Sequence, residues 1–164
     1  MLTKQDILEE FNEEVPATRK MLERTPFDKL DFKPNAEVKM FTLEQLAFMV
    51  ASMPGWFLGI IKDDSIELTT YKRPPKPKDA KELAKSFDEG VKAVQEALSA
   101  MDDEFLKKSW ALKMNGKVLM EASRGATLRQ TINHLVHHRA QLGVYLKMLG
   151  VPHPAVYGAS GDEQ

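Results

Sequence analysis

The stretch Thr127-Leu-Arg-Gln-Thr-Ile-Asn-His134-Leu-Val-His137-His138-Arg-Ala-Gln-Leu142-Gly-Val-Tyr145-Leu-Lys-Met-Leu149 decides the fold. Leu128, Ile132, Leu135, Leu142, Tyr145 and Leu149 recur at the three- and four-residue intervals that put apolar side chains on one face of an α-helix. Gly150 ends the segment and Pro152 follows, the usual punctuation of a helix C-terminus. A helix this long with one apolar stripe needs other helices to cover it.

Three upstream segments can do so. Thr3-Lys-Gln-Asp6 reads as a capping box with Asp in the acidic place, and Ile7, Leu8, Phe11, Val15, Thr18 and Leu22 follow on one face. Pro16 predicts a kink near Val15, and the helix should end before Pro26. Thr42-Leu-Glu-Gln45 opens a second helix carrying Leu46, Met49, Val50, Met53, Phe57 and Ile60, with a kink expected at Pro54. Asp79-Ala-Lys-Glu82 opens a third, striped by Leu83, Phe87, Val91, Val94, Leu98 and Met101. Residues 26–41 and 62–78 read as long polar, proline-bearing connections. Between Ser109 and Glu121 the period changes: Trp110, Leu112 and Met114 alternate with their neighbours, Asn115-Gly116 follows, then Lys117-Val-Leu-Met120. Asn-Gly between such runs predicts a β-hairpin, because both turn residues tolerate positive φ. The expectation is an all-α single domain over residues 1–164, a four-helix bundle with long connections and a small β-hairpin before the last helix.

Composition narrows the function. Hydrophobic residues make up 43% and charged residues 29%, a globular mix rather than a disordered one. Net charge is −1, so no basic field draws nucleic acid or anionic lipid, and neither is expected as a partner. There is no cysteine, which removes thiolate nucleophiles, disulfides and Cys-based zinc sites, and fits a cytoplasmic location. The N-terminus lacks the basic start and apolar run of a secretion signal. The longest apolar stretch, Phe48 to Ile61, contains Ser52, Pro54 and Gly55 and falls short of the roughly 20 residues of a membrane span, so a buried helix is expected.

Three of the four histidines lie in His134-Leu-Val-His137-His138. At about 100° per residue, positions 134 and 138 differ by about 40° and stack one turn apart, close enough for both imidazoles to reach one metal ion. His137 points away, toward a helix boundary or solvent. Two hydrogen-bonded core histidines are the alternative reading. No phosphate-binding glycine loop and no Gly-x-Ser-x-Gly elbow occurs. Asp102-Asp103-Glu104 reads as a solvated turn, and the nine methionines mostly as core filler.

Several segments together resemble the DinB-like (DinB/YfiT) family: Pro26-Phe-Asp-Lys-Leu-Asp-Phe-Lys-Pro34, Leu46-Ala-Phe-Met-Val-Ala-Ser-Met-Pro-Gly-Trp56, Asn133-His-Leu-Val-His-His-Arg-Ala-Gln-Leu142, Tyr145-Leu-Lys-Met-Leu-Gly-Val-Pro152 and Tyr157-Gly158. The resemblance implies a four-helix bundle that holds a divalent metal with three histidines, one from helix two and two from helix four. It places the helix-four ligands on His134 and His138 and the helix-two ligand at Met49. A thioether is a soft, uncharged ligand, poorly suited to zinc or nickel. The implied cofactor is therefore one divalent ion, zinc or nickel, held weakly or not at all unless a carboxylate or His153 supplies a third ligand. The resemblance further implies a small-molecule pocket between helices two and four, lined by Met49, Met53 and Tyr145, and a homodimer. Two activities remain open: a metal-dependent thiol transferase or hydrolase, or a non-catalytic small-molecule-binding or stress-associated bundle whose metal site has degraded.

Overall fold

Thr3 starts the first helix as its capping pattern predicts. Its hydroxyl accepts from the Asp6 amide, and the Asp6 carboxylate accepts from the Thr3 amide at 2.8 Å. The computed structural model describes residues 2–72 and 74–163. Four helices, α1 (Lys4–Glu23), α2 (Leu43–Lys62), α3 (Ala80–Ala100) and α4 (Arg124–Met148), pack as a bundle, with three short strands inserted between them. The capping pair Thr42–Gln45 opens α2 in both directions, whereas Asp79 caps α3 through the Glu82 amide alone. At the other end of α4, Gly150 at φ 73° lets its own amide reach the Lys147 carbonyl and that of Val151 reach the Leu146 carbonyl, closing the helix.

Both internal prolines are accommodated without ending their helices: Pro16 lies within α1 and Pro54 within α2. Pro54 is buried where α2 meets α3, so close that a methyl on Gly90 would come within 2.8 Å of its Cβ. Each of α1 and α2 packs against both α3 and α4, while α1 and α2 scarcely touch. The two consecutive helices therefore sit diagonally. That geometry explains the long connection between them, which has to cross an end of the bundle.

The core is made by the predicted stripes, including Phe11, Val50, Phe57, Phe87, Leu98, Leu128 and Leu135. In α1 the inward face runs through Phe11, Glu14 and Thr18, and Val15 is only half-buried. By length and composition α2 could cross a membrane; in this fold it packs, as α1 does, on both α3 and α4.

The predicted hairpin joins β2 (Ser109–Met114) to β3 (Lys117–Ser123) through Asn115 at φ 52° and Gly116 at φ 74°. The sheet has a third member absent from the sequence reading. Ser65–Glu67, inside the segment read as a loop, forms β1 and runs parallel to β2, pairing Ser65 with Ala111 and Glu67 with Lys113. Three residues are too few for an alternation signal. Buried Ile66 and Trp110 seat the sheet on the bundle, which a lone hairpin would need for stability. The Glu67 carboxylate accepts from the Asn115 and Gly116 amides at 3.0 Å each, tying β1 to the turn. The last helix begins at Arg124, ahead of Thr127. The Arg124 guanidinium donates to the carbonyls of Ile60 and Asp63, at the end of α2.

Candidate functional site

The one-turn spacing of His134 and His138 on α4 brings their Nε2 atoms to 2.7 Å, with ring centroids 4.5 Å apart. His138 is buried and His134 is exposed, so the pair sits where core meets solvent. Gln141, one turn beyond His137, bridges two of the three rings: its Oε1 is 2.9 Å from His138 Nδ1 and its Nε2 is 3.2 Å from His137 Nε2. An amide nitrogen only donates, so His137 Nε2 accepts, Gln141 Oε1 accepts from His138 Nδ1–H, and His138 Nε2 is left with a lone pair. In the neutral state the proton between the pair then belongs to His134. Burial, with His138 and His137 nearby, holds the His134 imidazole below the usual histidine value.

The connection before α2 folds over this face. The Phe41 ring meets His138 edge-on at 5.8 Å, and the Phe41 carbonyl accepts the Tyr145 hydroxyl at 2.9 Å. Phe32 packs edge-on against Tyr145 at 5.8 Å. Tyr145 is buried, which raises its phenol above the usual value. Met53 is part of the closed core, and Met49 is half-buried against it. Two surface concavities lie elsewhere. One, about 480 Å³, runs beside Asp6, Glu9, Glu13 and Arg129; the other, about 240 Å³, is an open depression lined by residues 153–160.

These residues do not fit a three-histidine metal centre. Among the described residues no group of three or more His, Asp or Glu side chains converges on one point. His153 is placed on another side of α4: its Nδ1 bonds the Pro154 carbonyl, and its Nε2 lies 2.5 Å from where a Cβ on Gly143 would be. Gly143 is about 180° around the helix from His134. What remains is a pair of imidazoles. Two nitrogens on a tetrahedral ion stand about 3.3 Å apart, so the 2.7 Å proton-sharing contact needs only a slight opening of the two rings.

A second polar cluster went unread in the sequence. Glu14 and Arg139 are buried to 6% and 2% exposure and form an ion pair inside the bundle. Arg139 also donates to the Glu14 carbonyl at 3.2 Å and to the Tyr157 hydroxyl at 2.9 Å, and that hydroxyl contacts both Glu14 carboxylate oxygens. Burial, then the bond to Glu14, raises the Tyr157 phenol. The C-terminal segment is held there by further ion pairs, Arg24 and Lys20 with Glu163 and Lys147 with Asp162. A signal for the cluster does exist: Glu14 stands at helical spacing between Phe11 and Thr18, and Arg139 between Leu135 and Leu142. Opposite charges on two apolar stripes are candidates for each other.

Comparison with known proteins supplies the family. The chain is 26% identical over 136 residues to the uncharacterized protein YjoA of Bacillus subtilis strain 168, covering 81% of this chain and 82% of that one. The crystal structure of a DinB-like protein from Bacillus cereus ATCC 10987 superposes with a TM-score of 0.74 at 25% identity, over 94% of this chain and 98% of that one. That of the Bacillus subtilis DinB-like protein YjoA superposes with a TM-score of 0.71 at 21% identity, over 94% and 97%. The model described as the DinB family matches residues 1–163, and the chain belongs to that family.

Proposed function

We propose that this chain is a binding bundle, not a metalloenzyme with a closed ligand set: His134 and His138 hold one divalent ion weakly, beside a small-molecule surface between α2 and α4. The donor set carries this reading. Two imidazoles share one proton at 2.7 Å, and no carboxylate or third imidazole joins them among the described residues. Open catalytic zinc sites use three protein ligands to fix the ion and set the acidity of its water; two leave both under-determined. Met49 offers at most a thioether, which zinc and nickel bind poorly.

One observation favours the metal-dependent transferase or hydrolase as a second reading. Gln141 orients His138 through Nδ1, the kind of support that metal-ligating histidines receive from a neighbouring acceptor. Calorimetric titration with Zn²⁺ or Ni²⁺ separates the readings. Weak binding that disappears in His134→Ala and in His138→Ala is expected, with Met49→His raising affinity by roughly tenfold or more. Tight binding by the unaltered chain that survives both alanine variants overturns the assignment. Tight binding that both variants abolish favours the enzyme.

A further inference from the structure

We propose that residues 152–163 form a strap that leaves the bundle as one unit and that, when closed, fills an anion site on α1 and α4 with the chain's own carboxylates. Lys20, Arg24 and Lys147 make the site, and its ligand is a small soluble anion of two or more negative charges.

The segment is a loop closed on itself. The Ser160 hydroxyl donates to the His153 carbonyl at 2.6 Å, the Asp162 carboxylate accepts the His153 amide at 2.9 Å, and the Glu163 carboxylate accepts the Ala155 amide at 3.1 Å. Its two ends therefore meet, as in other compact surface loops of this length. Among the described residues no backbone-to-backbone hydrogen bond ties it to a helix, and within it only Pro154 is buried. Side chains hold it down.

Two adjacent carboxylates do most of that holding. Asp162 pairs with Lys147 of α4, and Glu163 pairs with Lys20 and Arg24 at the end of α1. The Ala155 amide and then Arg24 lower Glu163 to about 2, and Lys147 lowers Asp162, so both are charged at neutral pH. Arg19, Lys85 and Lys92 find carboxylates along their own helices. Lys20, Arg24 and Lys147 differ: among the described residues their only carboxylate partners come from the strap. Three cations from two helices, neutralised by two neighbouring anions, are the arrangement of an occupied anion site.

The latch is also releasable. The Lys20 and Lys147 side chains are 48% and 59% exposed, so each pair is weak, is screened by salt and lies within reach of a competing anion. Deeper in, the Tyr157 hydroxyl bonds Arg139 and Glu14, but those two already pair with each other. Withdrawing the hydroxyl therefore strands no charge.

Chymotrypsin reads the opening, because the bond after Tyr157 is cut only when its segment is free to extend. Cleavage is followed as loss of residues 158–164 from the mass of the chain, relative to a synthetic peptide of residues 152–164 in the same buffer, while far-UV circular dichroism follows the helices. When opening and closing are fast, the rate tracks the open population. Asp162→Asn/Glu163→Gln keeps the acceptor oxygens and removes both charges, and should be cut roughly tenfold faster with its helices intact. Inorganic phosphate should accelerate cleavage of the unaltered chain several-fold more than sodium chloride at equal ionic strength, and this excess should vanish in Arg24→Gln/Lys147→Gln. Unchanged cleavage of the carboxylate variant overturns the latch. Equal acceleration by phosphate and chloride overturns the anion site. Cleavage that proceeds only as the helical signal is lost overturns the strap as a separate unit.

Discussion

At the scale of single residues, the buried polar groups are more demanding than the histidines that drew attention first. Glu14 and Arg139 are nearly free of solvent contact, and each satisfies the other. A buried pair of this kind contributes little net stability compared with apolar residues, but breaking it strands a charge. Arg139→Met should therefore destabilise the fold by about 3–5 kcal/mol, measured by urea denaturation. Tyr157→Phe removes one hydroxyl from the same cluster and should cost about 1–2 kcal/mol. Near-equal costs for the two would mean that the ion pair is hydrated and not buried. Tyr157 as a residue is 74% exposed, so the loss of stability would come from the hydroxyl bonds and not from packing.

At the scale of elements, Glu67 ties β1 to the hairpin turn of the three-stranded sheet. Its carboxylate takes the Thr69 hydroxyl and the amides of Gly116, Thr69 and Asn115, and these bonds lower it from 4.5 to about 2. A carboxyl lowered by folding contributes stability that is fully present above about 4.5 and is lost as pH falls through about 2. The near-UV circular dichroism of the Trp110 environment should weaken over that interval while the helical far-UV signal persists. Glu67→Gln should remove most of this acid dependence. A transition of unchanged midpoint in that variant would show that another carboxylate governs the sheet. The sequence carried the hairpin plainly, because Asn115-Gly116 specifies a turn locally. It carried no trace of β1, whose three residues become a strand only because β2 offers them an edge.

At the scale of the whole molecule, the end of α2 meets the start of α4 at a polar joint. Arg124 closes it by giving donors to the last carbonyls of α2. Its ion pair with Asp64 adds little, since the aspartate side chain is 99% exposed. Arg124→Ala should cost about 1–3 kcal/mol by leaving the buried carbonyl of Ile60 without its partner. Asp64→Ala should cost well under 1 kcal/mol. Equal effects in thermal denaturation would shift the weight to the ion pair.

The sequence by itself determined the four helices, the caps at Thr3, Thr42 and Asp79, the stop at Gly150, the hairpin turn and the one-turn spacing of His134 and His138. All of these follow from contacts between residues a few positions apart, whose geometry the chain sets locally. Only the tertiary structure decided which helices are neighbours, that Glu14 rather than Val15 faces inward, that Phe41 lies against His138, and that His153 sits on the far side of α4. Each of those is a contact between distant segments, and helical periodicity says which face is apolar without saying what will cover it. The histidine pair belongs to both accounts: local geometry brings the two rings together, and the fold determines that no third ligand joins them among the described residues.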